Sequence, residues 1–169
     1  MSESNTILLV EDSRDDVFLT RLAFEQAGIT QRLVVVSNGE QAVQYLKGEG
    51  PYTDREQFPL PRPILLDLAM PRMTGFEFLV WLRQEPELKD LPVIVLTGSL
   101  NPADVEQAGA TCFLAKPTGL TEWAAALAKI CAFRLELSEV PESSISMNLA
   151  IKEGKPNPLP PHDADKMAA

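Results

Sequence analysis

Ile64-Leu65-Leu66-Asp67 is a run of three large apolar residues that stops on a carboxylate. A carboxylate placed there is costly to bury unless it has a purpose. Four similar runs lie around it, at residues 7–10, 33–36, 93–96 and 112–114. Most are continuous rather than alternating and rich in β-branched residues, the pattern of strands buried on both faces.

Helical patterns fill the intervals. Ser13 can cap a helix with Asp16 three residues on, and Gly28 closes it. Leu19, Ala23 and Ala27 then share one face. Ser37 and Glu40 suggest a second capping box, with Gly48 ending that helix. A third helix is expected from about Gly75 to Glu85, before Pro86. A fourth is short, capped by Asn101, with Pro102 in its first turn and Gly109 stopping it. A fifth places Leu120, Trp123, Leu127 and Ile130 on one stripe. Strands alternating with helices predict an α/β fold, a doubly wound five-stranded parallel sheet in a flavodoxin-like three-layer sandwich.

Two segments break this rhythm. Residues 49–62 carry Pro51, Pro59 and Pro61 and are long for an αβ loop, so a stiff surface connection is expected. Residues 138–169 carry Pro141, Pro156, Pro158, Pro160 and Pro161 and read mainly as a disordered or partner-docked tail after a domain spanning 1–137. Within that tail Ile145, Met147, Leu149 and Ile151 alternate as a strand would. Addition to a sheet edge is one reading, and a helix docked on a neighbour is the other.

Composition narrows the function classes. The chain has 169 residues, 45% hydrophobic, and a formal net charge of −9. That charge disfavours nucleic acid as a partner. No apolar run approaches the roughly 18 residues of a membrane span. Residues 1–6 are polar and do not resemble a signal peptide, so a cytoplasmic location is expected. Cys112 and Cys131 have no metal-ligand spacing and read as buried thiols. Trp81 and Trp123 read as packing residues. His162, the only histidine, lies in the proline-rich tail, away from any helical bundle that would make it a phosphotransfer group.

In an open parallel sheet, chemistry collects at the carboxyl ends of the strands. Glu11 and Asp12 follow the first strand, Asp67 ends the third, Thr97 ends the fourth with Ser99 after it, and Lys116-Pro117 follows the fifth. Each alone is an ordinary turn or surface residue. Together they form a carboxylate cluster that repels itself unless cations enter it. Lys116 supplies one charge, and an all-oxygen donor set favours Mg2+ over a softer metal. A carboxylate nucleophile, a hard metal, a lysine and a hydroxyl suit phosphoryl transfer.

Four blocks carry a resemblance. They are Leu8-Leu9-Val10-Glu11-Asp12-Ser13, the run from Ile64 through Asp67 to Met73-Thr74-Gly75, Val95-Leu96-Thr97-Gly98, and Phe113-Leu114-Ala115-Lys116-Pro117. In this order they resemble the receiver domain of two-component response regulators (CheY-like), over about residues 6–134. The resemblance implies that Asp67 is the phosphoacceptor for a histidine kinase. It implies that Glu11, Asp12, Asp67 and the Ala69 backbone carbonyl hold Mg2+. Thr97 and Lys116 would stabilise the phosphoryl group, Thr97 and Phe113 would switch with it, and Pro117 would support the lysine, often through a cis bond. The protein would then be a phosphoacceptor in a phosphorelay that promotes only its own phosphorylation and dephosphorylation, not an enzyme on other substrates. Thr74 departs from the acidic or polar residue usual before the glycine, and the small Ala69 and Ser99 occupy the positions that set phosphoryl lifetime.

Glu49-Gly50-Pro51-Tyr52, the Pro-Glu-Leu-Lys at 86–89 and Leu91-Pro92-Val93 further resemble single-domain regulators that serve phytochrome-type histidine kinases and dimerise through their C-terminal half. Rival readings are weaker. Haloacid-dehalogenase-type phosphatases need a second aspartate where Ala69 stands. A phosphorylation-independent pseudo-receiver would be expected to have lost Asp67, Lys116 or the acidic pair. Nothing after Arg134 resembles a helix-turn-helix, so output is expected by protein contact, as a stand-alone regulator or a relay.

Overall fold

The computed structural model describes residues 5–97 and 109–137, without the side chains of Thr97 and of residues 133–137. Five strands appear: β1 (Thr6–Val10), β2 (Arg32–Val36), β3 (Ile64–Asp67), β4 (Val93–Thr97) and β5 (Cys112–Ala115). All pair in parallel, in the order β2-β1-β3-β4-β5. Helices α1 (Arg14–Gln26), α2 (Gly39–Lys47), α3 (Gly75–Gln84) and α4 (Leu120–Leu137) cover the two faces. The expected doubly wound sandwich is therefore the observed one. The short helix expected at 101–109 and the strand pattern at 145–151 fall outside the described residues, apart from Gly109.

The continuous apolar runs make sense in three dimensions. Leu8, Val10, Ile64, Leu66, Val93 and Val95 point to one face, against Tyr45 and Leu46 of α2 and Phe78, Leu79 and Leu82 of α3. Their neighbours Ile7, Leu9, Leu65, Ile94 and Leu96 point to the other, against Ala23 and Phe24 of α1 and Trp123, Leu127 and Ile130 of α4. Alternate side chains fill opposite layers, so neither half of a strand tolerates polarity. Each buried aliphatic contributes roughly 1.5–3 kcal/mol by leaving water. The seam between α1 and α4 also holds a buried polar contact, in which Trp123 Nε1 donates to Thr20 Oγ1 at 3.1 Å.

Helix ends follow local chemistry with two revisions. Ser13 caps α1 by accepting the Asp16 N–H at 3.2 Å, and Gly28 follows at φ +64°. The cap of α2 is Asn38, not Ser37; it accepts the Gln41 N–H at 2.9 Å, while Gln41 Oε1 takes the Ser37 N–H at 3.0 Å. Asn38 takes the backbone N–H three residues on and the Gln41 side chain the one four residues back, and this pair of bonds replaces the expected Ser37–Glu40 box. Thr74 has a role that its departure from the family pattern hid. It caps α3 in a full capping box: Glu77 N–H donates to Thr74 Oγ1 at 3.2 Å, and Thr74 N–H donates to Glu77 Oε2 at 2.8 Å.

The proline-rich connection is anchored rather than merely draped on the surface. Tyr45, Tyr52 and Phe58 pack together in tilted and edge-to-face contacts, with ring centroids 5.1–6.0 Å apart. Tyr45 donates its hydroxyl to the Pro59 carbonyl at 2.8 Å. Arg55 bonds the carbonyls of Tyr45, at 2.8 Å, and of Leu46, capping the C-terminal end of α2. The peptide bond Arg62–Pro63, leading into β3, is cis.

Replacing Thr74 by Ala should cost about 1 kcal/mol in a denaturant melt, the usual worth of an N-cap side chain. Burial pushes the Cys112 thiol up to about 11 from 9.0. Its folded state thus prefers the neutral thiol, and unfolded chains ionise first. Stability from this residue should be intact below about pH 9 and fall as pH rises toward 11. Alkylation rates of Cys112 against pH, and pH-dependent melts of Cys112→Ala beside the wild type, measure it.

Candidate functional site: a carboxylate cluster around one lysine

The parallel register builds the site. Val10 pairs with Leu66, so Glu11 and Asp67 leave the sheet side by side. Thr97 pairs with Ala115, which puts Lys116 one step beyond the same edge. Glu11 is 3% exposed and Asp67 5%, while Asp12 faces solvent. Oxygens of Glu11, Asp12 and Asp67 lie within 4.8 Å of one another.

Lys116 sits among them. Its Nζ lies 2.8 Å from Glu11 Oε2, 2.8 Å from Asp16 Oδ2 and 3.1 Å from Asp67 Oδ1. Glu11 is held from its other oxygen by the Ser13 N–H at 3.0 Å. Burial raises the Glu11 pKa, and the Asp67 charge adds to the rise; the hydrogen bonds from Lys116 and from Ser13 oppose it. For Lys116, burial disfavours the ammonium, yet hydrogen bonds to Asp16 and Glu11 and the field of Glu11 and Asp67 outweigh it and raise its pKa. The lysine is a fixed cation.

The loop after Asp67 is shaped by close backbone approaches. A Cβ on Gly75 would fall on the Asp67 carbonyl oxygen and lie 2.8 Å from Leu68 Cα. Gly75 N–H donates to the Leu68 carbonyl at 3.3 Å. Gly39 N–H donates to the Met73 carbonyl at 3.3 Å, and Arg72 adopts φ +65°. The start of α3 therefore presses against the end of β3 and fixes where Asp67 points. Ala69 stands exposed on this loop.

The fold brings Glu11, Asp12, Asp67 and Lys116 together. Thr97 ends β4 at the same edge, but its hydroxyl, like Ser99, lies outside what is described. Phe113 is half-buried against the α2/α3 layer. Among the described residues the cis bond is at Arg62–Pro63, not at Lys116–Pro117, where the resembled family often has one. Asp16 is the contact that sequence reading missed. Its place three residues after Ser13 reads as a capping partner, and Ser13 does accept its N–H, but its carboxylate also reaches Lys116 across the sheet edge.

The donor set is all oxygen, and four carboxylates (Glu11, Asp12, Asp16, Asp67) face one ammonium. That imbalance fits a hard divalent cation held by Glu11, Asp12 and Asp67.

Residues 7–128 match the family model for the response regulator receiver domain. This chain belongs to that family. It is 37% identical over 145 residues to the response regulator Rcp1 of a Synechocystis strain, covering 82% of this chain and 97% of Rcp1. The solved Mn2+-bound form of Rcp1 superposes with a TM-score of 0.67 at 34% identity, covering 80% and 98% of the two chains. The phosphorylated cyanobacterial phytochrome response regulator RcpA gives 0.69 at 32% identity, covering 78% and 94%. As a receiver domain, the chain is a signalling module of two-component systems. No helix among the described residues is long and apolar enough to cross a membrane.

Relief of repulsion gives a testable reversal. In metal-free buffer, Asp12→Asn should stabilise the fold by on the order of 1 kcal/mol. Saturating divalent metal should stabilise the wild type by about 2.7 kcal/mol at a hundredfold excess over its Kd and the variant by much less. Thermal melts with EDTA and with added metal measure both.

Proposed function

We propose that this receiver accepts a phosphoryl group on Asp67 from a histidine kinase, with Mg2+ as its metal, and signals by protein contact. The observation that carries this reading is a buried strand-end carboxylate, Asp67, ion-paired to Lys116 at 3.1 Å and flanked by Glu11 and Asp12. An Asp67 oxygen would attack the phosphorus of the kinase phosphohistidine. A P–O bond forms, the P–N bond breaks, and the imidazole leaves with the bonding pair and takes up a proton. Lys116 would bond one phosphoryl oxygen and offset its charge. Glu11, Asp12, Asp67 and the Ala69 carbonyl would hold Mg2+, which when bound supplies further positive charge for those oxygens. Thr97 would bond the phosphoryl group, Phe113 would move with it, and Pro117 would support the lysine from the following position.

The likeness to Rcp1 and to the phytochrome response regulator RcpA supports a kinase of the phytochrome type. The Mn2+ in the Rcp1 structure supports a divalent cation in this donor set. A homodimer through the C-terminal half, a division into a receiver at 1–137 and a tail at 138–169, and a cytoplasmic location complete the proposal. The pseudo-receiver alternative is not favoured, since every charged group of the site is present.

Incubation with acetyl phosphate and Mg2+, followed by intact mass spectrometry, tests the acceptor. The wild type should gain one phosphoryl group, about 80 Da, and Asp67→Asn none. A wild type that stays unmodified and does not bind beryllofluoride would instead mark a pseudo-receiver.

A further inference from the structure

We propose that Asp16 is a positioning residue that detains Lys116 in the resting protein and competes with the incoming phosphoryl group for its ammonium. The proposal rests on the reading of Asp67 as phosphoacceptor. An ammonium has three N–H donors, and in this structure three carboxylates face it: Glu11 and Asp16 at 2.8 Å and Asp67 at 3.1 Å. Hydrogen bonds to Glu11 and Asp16 engage two of those donors, while Asp67 meets the ammonium as an ion pair. A full approach of the ammonium to a phosphoryl oxygen is opposed by whichever of the two hydrogen-bonded partners retains it.

The three partners differ in what release would cost. The Glu11 side chain is 2% exposed, so uncovering its charge leaves a carboxylate that water cannot reach. Asp67 carries the phosphoryl group itself. The Asp16 side chain is 42% exposed, so water can take the place of Lys116. Asp16 is the partner exchanged. Its position is nevertheless well defined. Its N–H is held by Ser13 Oγ, and its carbonyl accepts the Thr20 hydroxyl at 2.7 Å. Thr20 in turn accepts Trp123 Nε1, locking this turn of α1 to α4.

Charge acts in the same direction as competition. A phosphoryl group brings the Asp67 position to a charge of about −2, and Asp16 adds a further negative charge on the other side of Lys116. Removing the Asp16 charge should therefore favour the phosphorylated form by both routes.

The test follows phosphorylation by acetyl phosphate with Mg2+, read by intact mass against time. In that reaction an Asp67 oxygen bonds phosphorus, the P–O bond to the acetyl group breaks, and acetate leaves with the electron pair. Asp16→Asn should be modified about threefold faster than the wild type, the scale of one partly exposed ion pair. Asp16→Glu, which restores a carboxylate, should return toward the wild-type rate. Asp15→Asn removes the same charge one residue away and should leave the rate unchanged. In a Lys116→Ala background, adding Asp16→Asn should give a smaller acceleration than in the wild type, since only the direct effect of charge remains. Circular dichroism checks folding, and Asp16→Ser replaces Asp16→Asn should the latter fail to fold. An Asp16→Asn rate equal to or below the wild type overturns the proposal. So does an equal acceleration by Asp15→Asn, or one of undiminished size without Lys116. A wild type that is never modified overturns the phosphoacceptor reading itself, and the detained lysine with it.

Discussion

A single ammonium surrounded by carboxylates is the constraint on which the rest of this structure depends. Lys116 meets Glu11, Asp16 and Asp67 at hydrogen-bonding distance, and Asp12 lies close to two of them. Two of these carboxylates are buried where water cannot screen them. Among the described residues, the lysine and the Ser13 N–H on Glu11 hold their repulsion in check, and a bound cation would add to them. A site of this kind is under electrostatic tension at rest and responds strongly to added charge. That is the property a phosphorylation-responsive module needs.

The surrounding architecture serves to keep those charges in register. Parallel pairing sends the ends of β1, β3, β4 and the start of the Lys116 segment to one edge. Gly75 lets α3 begin directly against the Asp67 carbonyl, and the Thr74–Glu77 capping box fixes that beginning. At the other end of the sheet, Arg83 ties α3 to the carbonyls of Gly109, Lys89 and Leu91 at 2.6–2.9 Å. Arg55 and Tyr45 likewise tie the proline-rich connection to α2. Both arginines donate to helix-end and loop carbonyls.

The likeness to Rcp1 and RcpA extends over most of the chain. The long connection before β3 is here a small aromatic cluster, Tyr45, Tyr52 and Phe58, with Arg32 over the Phe58 ring. Its length is thus paid back in packing, which explains why a segment with three prolines remains ordered between α2 and β3.

The sequence by itself determined the sheet, its parallel sense and four of the site residues. Strands buried on both faces must be continuously apolar, and a carboxylate that ends such a run, as Asp67 does, has to lie at an edge. Glu11, Asp12 and Lys116 follow by the same logic at neighbouring strand ends. Contacts between residues far apart in the chain were decided only by the tertiary structure. Asp16 and Lys116 are 100 positions apart, and nothing local distinguishes an aspartate that caps from one that reaches across the edge. The Asn38 cap, the cis bond at Arg62–Pro63 and the anchoring role of Arg55 belong to the same class. Periodicity records which face of an element is buried. It does not record which polar groups meet there, because that depends on how several elements converge.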